Sequence, residues 1–188
     1  ERIEQHRHQN VPMECRGCVA DFDAATGTLT HHAANQGVAM TQMALAAKLS
    51  MDRNDVRVVC KDIGGSFGLK IGAAREEMAV AAASRELGRP VKWIEDRNEH
   101  LSFSGHAREE YLDLETAVTE DGLMLGLRAD MVVDTGAYPG MGGMLGGIVE
   151  RMMPGPYRME ALEFSFTAAV TNKATYVAYR GPWAAETF

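Results

Sequence analysis

The segment Ile63-Gly64-Gly65-Ser66-Phe67-Gly68-Leu69-Lys70 constrains this chain more than any other. It follows the apolar run 56–60 and precedes a helical pattern over 72–87. Glycines around Phe67 open backbone conformations with φ > 0 that other residues resist. Such a loop can turn several N–H groups inward and form a concave site for oxygen-rich anions, to which the positive end of a following helix adds. The spacing is not that of a nucleotide loop. A Walker A motif requires four residues between its glycines and Lys-Ser/Thr after them, whereas Gly64 and Gly68 enclose three residues and Ile71 follows Lys70. The dinucleotide fingerprint fails as well, with glycines at 64, 65, 68 and 72. On spacing alone the loop is either a cofactor cradle or a tight strand-to-helix turn.

Composition narrows the function classes. The 19 basic and 26 acidic residues give a net charge of −7 with no dense basic run, which argues against nucleic-acid binding. No apolar run approaches the roughly 20 residues of a membrane span. The first residue is Glu1, and the sequence reads as part of a longer protein. Three cysteines, an odd number, favour a reducing compartment over a disulfide framework. Cys15 and Cys18 form a C-x-x-C, with His31 and His32 further on, but a zinc finger separates its histidines by three to five residues. Ordinary thiols are the default reading; zinc and a redox dithiol are the alternatives.

The coarse organisation is α+β, without an internal repeat. Residues 1–10 read as an edge strand or linker. Thr26-Gly27 marks a turn before a short strand at 28–30, and 40–49 carry one apolar helical face. Asp52 can cap a short turn ahead of the 56–60 strand. In the 72–87 helix, Glu76 and Glu77 suit the early turns, Gly88 the C-terminal cap, and Pro90 prevents continuation. Strands are expected at 91–94 and 164–171, and a long hairpin turns at Glu120-Asp121-Gly122. The Met/Gly-rich segment 139–156 has no regular pattern and reads as a connector, with a mobile access loop as the alternative.

Several landmarks occur in order along nearly the whole chain: PMECRG (12–17), the Gln36 segment, VRVVCKDIGGSFGLK (56–70), GRPVKWIEDR (88–97), DTGAY (134–138), VTNK (170–173) and VAYRG (177–181). Together they resemble the molybdopterin-binding large subunit of the molybdenum hydroxylases, which include xanthine dehydrogenases, aldehyde oxidoreductases and aerobic carbon monoxide dehydrogenases. The resemblance implies that residues 1–188 form the first part of a molybdopterin-binding domain. Gln36 matches the glutamine that hydrogen-bonds an oxo ligand of the metal. Gly64, Gly65, Phe67 and Gly68 match the loop beside the metal and pterin, with Ser66 where the family usually has a third glycine. Arg180 and Gly181 match an arginine-containing loop near the active site, and arginine offers a rigid fork of donors to oxyanions. The metal would be held by the pterin dithiolene, so no protein ligand is expected.

The resemblance further implies oxidation of a C–H bond in an aldehyde-like or heterocyclic substrate, with oxygen from water. The cofactor would be a molybdenum-pyranopterin, as the cytosine dinucleotide in a bacterial member. Electrons would leave to an iron–sulfur subunit and an FAD subunit in a cytoplasmic dimer of heterotrimers. Gly181 stands where copper-containing carbon monoxide dehydrogenases carry the copper-binding cysteine, and Ile71 and Pro182 depart from the xanthine dehydrogenases. The family's catalytic glutamate matches no residue here, so the chain by itself is expected to be inactive. The alternatives are a structural or interaction module of the same fold that binds no molybdenum, and a nucleotide-binding enzyme using the 64–68 loop.

Overall fold

The computed structural model describes residues 1–182, in two compact units. The first comprises Val11–Phe103. Its sheet has the order β5-β4-β3-β6, with β3 (Gly17–Asp23) and β4 (Thr28–Ala33) central and β5 (Val56–Val59) and β6 (Val91–Ile94) at the edges. The β4–β5 pair is parallel and the others antiparallel. Two helices, α1 (Val38–Leu49) and α2 (Arg75–Leu87), bury one face of the sheet. Alternation chooses that face: Cys18, Ala20, Leu29 and Val56 pack against Leu45, Ala46, Leu49, Val80 and Ala81. The short helix α3 (Arg97–Phe103) completes the unit.

Local chemistry sets the ends of these elements. Asp23 accepts hydrogen bonds from the Ala25 N–H and the Thr26 hydroxyl, which closes the β3–β4 turn. The Asp52 carboxylate accepts from the Asn54 N–H, as expected of a cap. The α2 helix begins at Arg75, three residues later than its pattern suggests, because Glu77 reaches back to the Ala74 N–H at 2.6 Å and fixes the first turn there. Gly88 ends it with φ +60.

The second unit contains Glu1–Asn10 and the described residues from Ser104 on. Its sheet has the order β1-β8-β9-β10, formed by β1 (Arg2–Gln5), β8 (Glu110–Val118), β9 (Met124–Gly136) and β10 (Ala161–Val170). The β9–β10 pair is parallel. A separate ribbon joins β2 (His8–Gln9) to β7 (His106–Ala107). The opening residues are thus an edge strand, and the hairpin turns at Thr119–Gly122 with Gly122 N–H donating to the Thr119 carbonyl. The helix α4 (Leu145–Met152) lays Leu145, Val149 and Met153 on Met131, Val133 and Tyr176.

Three elements differ from the sequence reading. Segment 139–156 holds a 3₁₀ turn at Gly140–Met144 and then α4, not an irregular connector. Its buried residues recur every four positions, but the glycines between them dilute the pattern. The sequence pattern marks no element at 17–23, although β3 is one of the two central strands. Nor does it mark α3, whose start is set by a reciprocal box: Glu99 N–H donates to Asp96, and Asp96 N–H to Glu99.

Arg16 and Glu95 form the main buried ion pair of the first unit. The guanidinium donates to Glu95 Oε1 at 3.0 and 2.6 Å and lies 5.4 Å from the Trp93 ring centroid, and the Arg16 N–H donates to Oε2. His100 Nδ1 lies 3.0 Å from the same carboxylate. Burial pushes the Glu95 carboxyl up, but the Arg16 contacts and His100 outweigh it and hold it below the ordinary 4.5. A depressed carboxyl contributes stability above its unfolded value and loses it as pH falls through the folded value. Glu95→Gln leaves the buried Arg16 cation with Glu76, at 3.2 Å, as its remaining counter-charge and should cost roughly 2 kcal/mol at neutral pH. Urea denaturation across pH should show that difference narrowing below the ordinary glutamate value.

Candidate functional site

The glycine loop joins β5 to α2 and keeps the strained backbone its sequence suggests. Gly65, Phe67 and Gly68 have φ of +97, +57 and +107. Phe67, which is not a glycine, holds this left-handed conformation, and the residue is 42% exposed. Gly64 is required for a different reason. A Cβ there would stand 2.5 Å from Glu14 Cβ and 3.3 Å from the Glu14 nitrogen, so only glycine permits this approach.

Glu14 braces the loop at both ends. Its carboxylate accepts from the Gly64 N–H at 2.9 Å and pairs with Lys70 Nζ at 2.8 Å, while its own N–H donates to the Gly64 carbonyl. The Lys70 side chain is 1% exposed and the Glu14 side chain 43%, so the carboxylate bridges a buried ammonium to solvent. The Lys70 hydrogen bond, joined by the Gly64 N–H, holds the Glu14 carboxyl below its usual range.

Gln36 meets the loop from the β4–α1 connection. Asn35 fixes that connection by accepting from the Gly37 N–H and donating to Thr41 Oγ1 and the Gly72 carbonyl. The Gln36 N–H donates to the Lys70 carbonyl. At the side chain, Oε1 accepts from the Gly68 N–H at 2.9 Å and from the Ser66 hydroxyl. A backbone N–H can only donate, so the Gln36 oxygen must face the loop. The amide NH₂ is thereby turned away from it, and it has no partner among the described residues. Gln36 is exposed, so this donor is available to a ligand.

Arg180 and Gly181 lie in the second unit, on a turn with φ of +35 and +81. Buried Arg108 donates to the Tyr179 carbonyl at 2.9 Å and the Gly181 carbonyl at 3.4 Å, and Asn10 donates to Ala178. The backbone of this turn is therefore braced, whereas the exposed Arg180 guanidinium has no partner among the described residues. Upstream, DTGAY and VTNK meet at Asp134, which accepts from Thr171 Oγ1 and pairs with Lys173 at 3.0 Å. Glu109 joins the cluster through Arg7 and Lys173. Burial pushes the Asp134 carboxyl up, but Thr171, the Gly136 N–H and Lys173 outweigh it and hold it low.

The C-x-x-C and histidine pair do not form a zinc finger. Successive strand residues face opposite sides, so His31 is fully buried toward the helices while His32 is exposed. Cys18 is also buried, and burial pushes its thiol up to about 12, which disfavours a redox thiolate. Cys15, Glu95 and His100 do bring ligand atoms within 4.8 Å of one another. Both Glu95 oxygens are already engaged by Arg16, which disfavours a cation there. Sequence reasoning singled out Ser66 in the loop but missed Glu14 and Asn35 around it, and Arg108 behind the 180–181 turn. The P-M-E-C-R-G spacing was the available signal for Glu14; nothing local marks Arg108.

Two features of the first unit fit a bound oxygen-rich cofactor: a glycine cradle that a Cβ at Gly64 would fill, and the outward amide donor of Gln36. Residues 1–188 match the molybdopterin cofactor-binding domain. The chain is 38% identical over 186 residues to the 6-hydroxypseudooxynicotine dehydrogenase complex subunit gamma of Paenarthrobacter nicotinovorans, covering 94% of this chain and 22% of that protein. It is 40% identical over 140 residues to the carbon monoxide dehydrogenase large chain of Hydrogenophaga pseudoflava, covering 72% and 17%. The crystal structure of quinoline 2-oxidoreductase from Pseudomonas putida 86 superposes with a TM-score of 0.85 at 31% identity, over 97% of this chain and 24% of that one. The chain thus spans about a fifth of the curated relatives it matches. It belongs to the molybdopterin cofactor-binding domain family of the molybdenum hydroxylases.

Proposed function

We propose that this chain is the part of a molybdenum hydroxylase large subunit in which Gln36, the 64–68 loop and the Arg180-Gly181 turn bind and orient a molybdenum-pyranopterin, in the cytosine dinucleotide form. The observation that carries the reading is the Gln36 amide, clamped at its oxygen by Gly68 and Ser66 with its NH₂ turned outward. When bound, the cofactor supplies two-electron oxidation of a substrate C–H bond with water as the oxygen source. The chain's own residues bind and orient. Gln36 donates one directed hydrogen bond, the loop offers close backbone approach, and Arg180 offers a planar fork to an oxyanion.

The proposed substrate is an aldehyde-like or N-heterocyclic small molecule. The names of the pseudooxynicotine and quinoline relatives support the heterocyclic choice. Gly181 in place of a copper-binding cysteine argues against carbon monoxide. The proposal includes an iron–sulfur and an FAD subunit in a dimer of heterotrimers, and the relative described as a complex subunit supports partner chains. It also includes a cytoplasmic setting, which the three free thiols support. No described helix is long and apolar enough to cross a membrane.

Elemental and pterin analysis of the full-length protein from its native host should find stoichiometric molybdenum. Finding neither metal nor pterin, in a host that loads related enzymes, would overturn the reading in favour of a structural module. Gly64→Ala should lower the molybdenum content of the purified protein several-fold with little change in its circular dichroism, because the added methyl displaces the Glu14 brace. Retention of wild-type metal content would contradict the cradle.

A further inference from the structure

We propose that Ser66 is a positioning residue that fixes the orientation of the Gln36 amide and strengthens its NH₂ as a donor toward the cofactor. The inference rests on Gln36 facing that cofactor. Three observations carry it. Ser66 is buried, and its Oγ accepts from the Lys70 N–H at 3.0 Å. That backbone group can only donate, so it occupies an acceptor position on Oγ and leaves the Ser66 hydroxyl proton to point elsewhere. The proton goes to Gln36 Oε1, which also accepts from the Gly68 N–H. The result is a directed chain, from Lys70 N–H to the Ser66 hydroxyl to the Gln36 carbonyl.

Two consequences follow for the amide. With two donors on its oxygen, the plane of the side chain is set, and the NH₂ can leave its direction only by breaking one of them. Accepting two hydrogen bonds also draws electron density toward the oxygen and makes the N–H groups better donors. The Gly68 N–H alone would leave the amide free to swing about that single contact. Glycine at position 66 would lack the hydroxyl and could not make this orienting contact. No charge moves and no bond to the substrate is involved; Ser66 acts through Gln36.

A donor aimed at the metal's ligand shell favours the more electron-rich state, so its weakening should lower the reduction potential of the centre. The test is an EPR-monitored redox titration of molybdenum in the full-length holoenzyme, comparing wild type, Ser66→Ala, Ser66→Gly, Gln36→Ala and the Gln36→Ala/Ser66→Ala double variant. Ser66→Ala and Ser66→Gly should both shift the midpoint to lower potential at unchanged molybdenum content. In the Gln36→Ala background the Ser66 change should produce no further shift. An unchanged midpoint in the single variants, or an equal shift with Gln36 already removed, would overturn the inference while leaving the cofactor reading intact. Loss of metal in both Ser66 variants would also overturn it, since the hydroxyl would then serve to hold the loop. A wild-type holoenzyme with no molybdenum would overturn the functional reading and this inference with it.

Discussion

The Glu14 carboxylate takes a hydrogen bond from the N–H of Gly64 and an ion pair from Lys70, and so holds the start and the end of the glycine loop with one side chain. The geometry of the site depends on this brace. A loop with successive left-handed residues is costly to order, and Phe67 in that region adds strain that the surroundings must over-determine. Glu14 supplies one fixed point and Gln36 the other. Without Glu14 the Lys70 ammonium would be buried without a counter-charge, so the brace and the burial of Lys70 stand or fall together.

The motifs that occur in order along the sequence are mostly halves of such contacts. PMECRG carries the Glu14 brace and the Arg16 cation, and GRPVKWIEDR returns Glu95 to that cation. The same segment sends Arg97 back to the carbonyls of Pro12 and Met13. Each motif therefore makes sense only beside its partner. In the second unit, VTNK supplies Thr171 and Lys173 to Asp134 of DTGAY, and Arg108 holds the carbonyls around Arg180. In each unit these contacts stay within the unit, while the Gln36 NH₂ and the Arg180 guanidinium have no partner among the described residues.

What was legible in the sequence follows from range. Helix α2 and the β8–β9 hairpin announce themselves through periodicity, Gly88 and Asp121-Gly122, all within a few residues. Helix α4 was hidden because its glycines leave Leu145, Val149 and Met153 as isolated signals. The Asp96–Glu99 box at the start of α3 was readable and went unused. The α+β class followed from the mixture of periods, but the parallel β9–β10 pairing did not, since no local pattern encodes strand order. The site residues were chosen by family resemblance, and spacing alone left the loop as either a cradle or a turn. The contacts of Glu14 with Gly64 and Lys70 span 50 and 56 residues, and that of Ser66 with Gln36 spans 30, distances at which single-sequence reasoning has no purchase.

The central claim is that the loop and Gln36 present one oriented hydrogen-bond donor to a cofactor. A crystal structure of the full-length protein with its cofactor, at a resolution that orients side-chain amides, tests this most directly. Gln36 Nε2 should lie within hydrogen-bonding distance of the cofactor, with Oε1 still held by the Gly68 N–H and the Ser66 hydroxyl. A cofactor seated away from Gln36 and residues 64–68, or a Gln36 amide released from the loop, would contradict it.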